Sequence, residues 1–159
     1  MRIGNTPPTP PVPPSGPVPS PNLGNPMQNL QDALNRVNAA IEKLYQDYHS
    51  NPPASKATLD ADQANINQLI DGDHGLADWV SWCSDPDVMN PPLSQDQVNK
   101  ITSAISYVKS EVQSCVKAAE QNPPDVAAAD AAYYAAGDGI EVISMTIGPH
   151  AAPPPPFFG

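Results

Sequence analysis

Residues able to do chemistry are few in this chain, and they are widely spaced. The densest group is Asp71-Gly-Asp73-His-Gly75, with Asp78 beyond it. Such an oxygen-rich stretch has the look of a calcium loop, but an EF-hand needs a third ligand at its proper spacing and a closing Glu, and both are missing. It reads as a solvated helix break. His49, His74 and His150 are scattered, with no pair at ligand spacing on one face, which argues against zinc. Nucleophilic catalysis needs a Ser or Cys beside a base and an orienting acid. Only Cys115, on a helical stripe, and surface-like serines are on offer. No Gly-rich phosphate loop and no paired carboxylate in an apolar setting stands out. The expectation is therefore no enzyme, with no catalytic residue, no metal and no cofactor.

The elements that must position these residues are helices. Val98, Ile101, Ile105, Val108, Val112, Cys115 and Ala119 alternate spacings of three and four, which puts them on one face of an α-helix. Ser94 is its N-cap, Gln97 completes a capping box, and Leu93 with Val98 forms a hydrophobic staple. Pro123 and Pro124 stop it. Before it, Asn25 caps a helix with Pro26 at its first position, and Met27, Leu30, Leu34, Val37, Ile41, Leu44 and Tyr48 form the second stripe. The next stripe along the chain, Leu59, Asp62, Ile66, Leu69, Asp73, Leu76 and Val80, is faulted at Asp62 and Asp73. Gly72 and Gly75 flank the second fault, and each costs about 1 kcal/mol against Ala in a helix interior. A kink or break between Asp71 and Gly75 is expected. The last stripe, Val126, Ala129, Tyr133, Ala136, Ile140, Ile143 and Ile147, ends at Gly148 and Pro149. Ile140 to Ile147 is β-branched enough for a strand, but a lone strand would lack a partner in an all-α chain.

The expected fold class is all-α, an antiparallel up-down-up-down four-helix bundle over residues 25–148. Its helices are expected at about 26–49, 56–84 with a kink near 71–75, 95–121 and 124–147. Asn51-Pro-Pro, Asn90-Pro-Pro and Asn122-Pro-Pro punctuate the connections. This topology brings both chain ends to one end of the bundle, next to Trp79, Trp82 and the acidic loop containing Asp85, Asp87 and Asp96. The two tryptophans either widen the second helix's core stripe or form a docking patch. Cys83 and Cys115 are expected as reduced core thiols, because a hairpin about Met89 leaves them roughly 30 Å apart.

Composition separates this bundle from two arms. Ten of the 22 prolines fall between Pro7 and Pro26, and four between Pro153 and Pro156. Residues 1–24 contain TPPTPPVPPSGPVPSP, from Thr6 to Pro21, which reads as extended polyproline II. Pro10, Pro11, Pro13 and Pro14 carry its PxxP spacings and are its candidate contacts, although Arg2 is the only basic residue near for an SH3-type partner. Residues 149–159 end in a proline rod followed by Phe157 and Phe158. Burying both rings in a partner's groove would contribute about 4 kcal/mol before ordering costs.

A formal charge of −10 with seven Lys and Arg argues against nucleic acid or an anionic membrane surface as a partner. No apolar run reaches the roughly 20 residues of a membrane span. The start lacks the basic and apolar regions of a secretory signal, which implies synthesis in a cytoplasm, with a virion or a non-classical export route as later destinations. Tyr134-Ala-Ala-Gly-Asp138 resembles the YxxxD signal of substrates of the type VII secretion systems. The resemblance covers those residues alone. Those substrates are helical hairpins with a WxG turn, whereas here Cys83 and Ser84 follow Trp82.

The functional expectation is a non-enzymatic structural or assembly protein that docks through its arms onto protein partners or copies of itself, as a virion decoration or connector component would. The alternative is a secreted bacterial effector or adaptor whose proline arms bind partner domains. A third reading, a calcium-responsive binder, depends on the Asp71 to Asp78 segment.

Overall fold

The computed structural model describes residues 25–148. They form five helical segments, α1 (Pro26–Tyr48), α2 (Lys56–Asp71), α3 (Leu76–Cys83), α4 (Gln95–Ala119) and α5 (Val126–Ile147). Helices α2 and α3 together make one arm of a four-helix bundle, so the expected antiparallel bundle is the observed fold. Four of the five helices start at a side-chain cap, and α3 follows Gly75 without one. Asn25 Oδ1 accepts from the Met27 and Gln28 amides at 3.0 and 3.3 Å, and Ser55 Oγ accepts from Thr58 N–H at 3.2 Å. The Ser94 box closes in both directions, at 3.1 and 2.8 Å. Asp125 accepts from Ala128 N–H, so α5 begins at Val126 rather than at Pro124. These side chains satisfy amides that the first helical turn leaves without partners.

The connections share one construction. Asn51-Pro52, Asn90-Pro91 and Asn122-Pro123 are all cis. After each second proline, the next amide returns to a carbonyl near the end of the preceding helix: Ala54 to Asp47 at 3.0 Å, Leu93 to Cys83 at 2.8 Å and Asp125 to Ala118 at 3.0 Å. Proline has no N–H to contribute, so this amide is the first that can tie the loop back. The middle connection encloses more residues because a turn over Asp85 to Met89 is inserted in it.

The expected fault near Gly75 is a full break. Gly72 is extended (φ −77°, ψ −178°), and His74 has φ 59°. A Cβ on Gly75 would lie 2.8 Å from the carbonyl oxygens of Leu69, Ile70 and Gly72, so only glycine fits between the two helices. Beyond the break the buried register shifts. Asp73, on the expected stripe, is exposed, and His74 turns inward instead.

The core follows the stripes. Leu30, Val37, Ile41, Leu44, Ile66, Ile101, Val108, Ile140 and Ile143 are essentially inaccessible, each contributing about 1.5–3 kcal/mol by burial. Val126 alone among the α5 stripe residues is exposed. Residues Ile140 to Ile147 are helical. The α4–α5 pair is the most extensive contact of the bundle. Ala104, Ala129, Ala132, Ala136 and Gly139 are buried, and a Cβ on Gly139 would come 2.6 Å from Val108 Cγ2. Small side chains let these two backbones approach closely.

Candidate functional site

One end of the bundle holds both attachment points of the arms. Cys83 Sγ donates to the Pro26 carbonyl at 3.4 Å, Leu93 N–H donates to Cys83 O, and Gln97 Nε2 donates to Thr146 O at 3.2 Å. The start of α1, the end of α3, the start of α4 and the end of α5 are thus tied together. Asp85, Asp87 and Asp96 lie at this end, with Asp87 and Asp96 exposed. Pro10, Pro11, Pro13, Pro14, Phe157 and Phe158, like both arms, lie outside the described residues.

Trp79 and Trp82 belong to the core. They are 4% and 6% exposed and meet edge to face with ring centroids 4.7 Å apart. Of the two readings of these residues, burial places them in the core stripe and leaves no tryptophan docking patch. His74 packs against Trp82 at 5.4 Å. Both of its ring nitrogens are buried with no hydrogen-bond partner, and its backbone amide donates to Asp78 Oδ2 at 2.9 Å.

The Asp71 to Asp78 carboxylates do not converge. Asp71 pairs with Lys109 of α4 at 2.6 Å, Asp78 is used by the His74 amide, and Asp73 faces solvent. Among the described residues no three His, Cys, Asp or Glu side chains are placed to hold a metal ion. Cys83 and Cys115 are free and buried, and burial pushes both thiols up to about 12. That removes the thiolate on which reactivity depends.

The opposite end carries two acid pairs, each bridged by a lysine. Lys43 of α1 reaches Asp47 at 2.7 Å and Asp62 of α2 at 3.4 Å. Asp62 is 7% exposed, and its Oδ2 is buried without a partner. Burial, and then the neighbouring Asp47 carboxylate, raise the Asp62 carboxyl from 3.8 to about 7 against the pull of Lys43. Asp47 is held low by the neighbouring Asp62 carboxyl and then by Lys43. The pair therefore shares a proton that Asp62 carries. Lys56 of α2 repeats the arrangement, at 2.8 Å from Asp60 and 3.5 Å from Glu120, the residue that follows α4. Burial and then Asp60 raise Glu120, whose Oε2 also lacks a partner. Contrary to the expectation from sequence, then, a paired carboxylate in a buried setting does exist. Its members lie on different helices, and Asp62 was visible only as a fault in an apolar stripe.

Beside these pairs, Asp130 Oδ1 accepts from Tyr48 Oη at 2.6 Å and lies 2.7 Å from His49 Nε2. Tyr45 stacks at 4.3 Å on Tyr133 and at 4.2 Å on His49. Burial, followed by the bond to Asp130, pushes the Tyr48 hydroxyl far above its ordinary range. Tyr48 is thus a fixed donor, and it locks α1 to α5.

A third feature lies along the bundle's side. An open groove of about 470 Å³ runs between α4 and α5, lined by Asn99, Lys100, Ser103, Ala104, Tyr107, Asp138, Gly139 and Val142. Tyr107 and Val142 are 46% and 45% exposed, and Met145, one turn beyond Val142, is 69% exposed. Tyr134 and Asp138 are also exposed, one turn apart on α5. Sequence periodicity gave no notice of this groove, because a concave surface depends on how two helices face each other and not on the pattern within either one. Among the described residues no helix is long and apolar enough to cross a membrane. Comparison with family models, with curated proteins and with solved structures finds no match for this chain.

Proposed function

We propose that this protein is a non-enzymatic structural or assembly component, a rigid helical bundle that joins protein partners or copies of itself through its proline-rich arms. The observation that carries this reading is the convergence of both arm attachment points on one hydrogen-bonded end of the bundle. With both arms joined to one end of the bundle, one partner surface can engage both, and binding by one raises the effective concentration of the other. Pro10, Pro11, Pro13 and Pro14 are the proposed contacts of the first arm, and Phe157 and Phe158 those of the second. A virion decoration or connector component is one setting for such a part. The effector reading draws support from the joint exposure of Tyr134 and Asp138, the two residues that resemble an export signal.

Limited proteolysis of the purified full chain, with its mass followed by light scattering, tests the proposal. Arms that resist cleavage in a particle of several chains are the expected result. Arms lost quickly from a monomer would overturn self-assembly and turn the search to a foreign proline-recognising partner.

A further inference from the structure

We infer that two copies of this chain pair through their α4–α5 faces, each α5 lying antiparallel to the other about a two-fold axis at Asp138. This contact does not use the arms, so it stands or falls apart from the assembly reading. The large apolar side chains exposed among the described residues are Tyr107, Val126, Tyr134, Val142 and Met145, and all five lie on α4 or α5. Helix α5 differs from its neighbour on its outer side. Ala127, Ala131, Tyr134, Asp138, Val142 and Met145, at spacings of four, three, four, four and three, form one exposed stripe in which Asp138 is the only charge. The exposed positions of α4 are polar except Tyr107. A helix that is apolar on both sides belongs between two packed surfaces, and the bundle covers only one of them.

The order of residues in the stripe favours a second copy as its cover. About Asp138 the spacing is palindromic, with Tyr134 and Val142 four places to either side and Ala131 and Met145 seven places to either side. A two-fold contact sets each residue against the one equally far beyond the axis in the other chain. Val142 then packs on Tyr134 of the second copy, and Met145, the most exposed of the five, fits over Ala131, where a small side chain leaves room. Charge points the same way. The chain carries −10 overall, so copies repel except where charge is balanced, and the α4 wall of the groove supplies Lys100 opposite Asp138. Each Asp138 at the axis thus shares its groove with a lysine of its own chain. The area also suffices. Its 22 residues make α5 roughly 33 Å long, and two helices side by side span roughly 20 Å, so each copy covers on the order of 650 Å². The total of roughly 1,300 Å² falls within the ~1,200–2,000 Å² of specific, stable interfaces.

Sedimentation velocity of the full chain across a dilution series, combined with cysteine crosslinking, tests this. The parent is expected to reach twice the mass of one chain, and Met145→Lys and Val142→Asp to return it to a monomer. Both positions are exposed, so the variants keep the fold, which their circular dichroism and thermal unfolding verify. Crosslinking reads the register. Asp138→Cys is expected to give a disulfide-linked dimer under mild oxidation, because position 138 meets itself at the axis. Ala127→Cys is expected to give none, since its two copies lie roughly 33 Å apart. The native Cys83 and Cys115 are buried and leave the parent as a silent background. A chain that stays monomeric at every concentration, a dimer untouched by Met145→Lys, or no disulfide from Asp138→Cys overturns the inference. A disulfide from Ala127→Cys overturns the antiparallel pairing. A dimer abolished by Phe157→Ser/Phe158→Ser overturns it as well and assigns the contact to the second arm, whereas a dimer that survives this variant supports it even if proteolysis removes the arms.

Discussion

Replacing Asp62 with Asn is expected to make this protein more stable at neutral pH and to flatten its pH dependence. In the folded chain the Asp62 carboxyl keeps its proton up to about pH 7, whereas its ordinary value is 3.8. The folded state therefore binds the proton more tightly than the unfolded state. The stability this supplies is fully present below pH 3.8 and is lost as pH rises through 7. At about 1.4 kcal/mol per pH unit across that window, the loss amounts to about 4 kcal/mol, a large fraction of a domain's usual margin of about 5–15 kcal/mol. Asp47 is held low, so its contribution is lost only as pH falls below 3.8, outside the window. Glu120, raised by burial and by Asp60, has the same sign as Asp62 and remains in the variant. Asn at 62 is uncharged at every pH and nearly the same size as Asp. Urea unfolding at several pH values between about 4.5 and 7.5, monitored by the fluorescence of buried Trp79 and Trp82, measures the difference directly. The variant is expected to match the parent near pH 4.5 and to exceed it by about 2–4 kcal/mol at pH 7.5. A parent whose stability rises through this range, with an Asn variant less stable at the upper end, would refute the reasoning, since Asp62 would then be an ionised and well-paired carboxylate.

The packing sets three further outcomes. Gly75→Ala drives a Cβ against three carbonyl oxygens at 2.8 Å and is expected to cost about 2–3 kcal/mol, read as a lower melting temperature. Gly139→Ala meets Val108 Cγ2 at 2.6 Å; a loss of about 1–3 kcal/mol is expected, and adding Val108→Ala should recover part of it in a double-mutant cycle. If the two losses simply add, the α4–α5 approach is not what Gly139 serves. Cys83 and Cys115, buried and pushed up to about 12, are expected to resist thiol reagents at mildly alkaline pH in the native chain and to react together in urea.

Helix positions, caps and breaks were determined by the sequence itself. Local backbone needs fix them: Asn25, Ser55, Ser94 and Asp125 accept amides within their own first turns, and no tertiary contact is required for that. The 3,4 stripes likewise named the core, because apolar burial selects one face of a helix regardless of its neighbour. At Val126, where the stripe reaches the first turn of α5, the neighbour is missing and the residue is exposed. Only the tertiary structure decided which polar residues meet. The Lys43, Asp47 and Asp62 cluster joins α1 to α2, and Tyr48 reaches Asp130 across 82 positions of sequence. A charge's pKa depends on the dielectric and the partners that packing supplies, so Asp62 could be seen in the sequence as a fault and not as a proton carrier. The same holds for the α4–α5 groove, since a concave surface is made by how closely two helices approach, and that distance was set by Gly139 and the alanines once they faced each other.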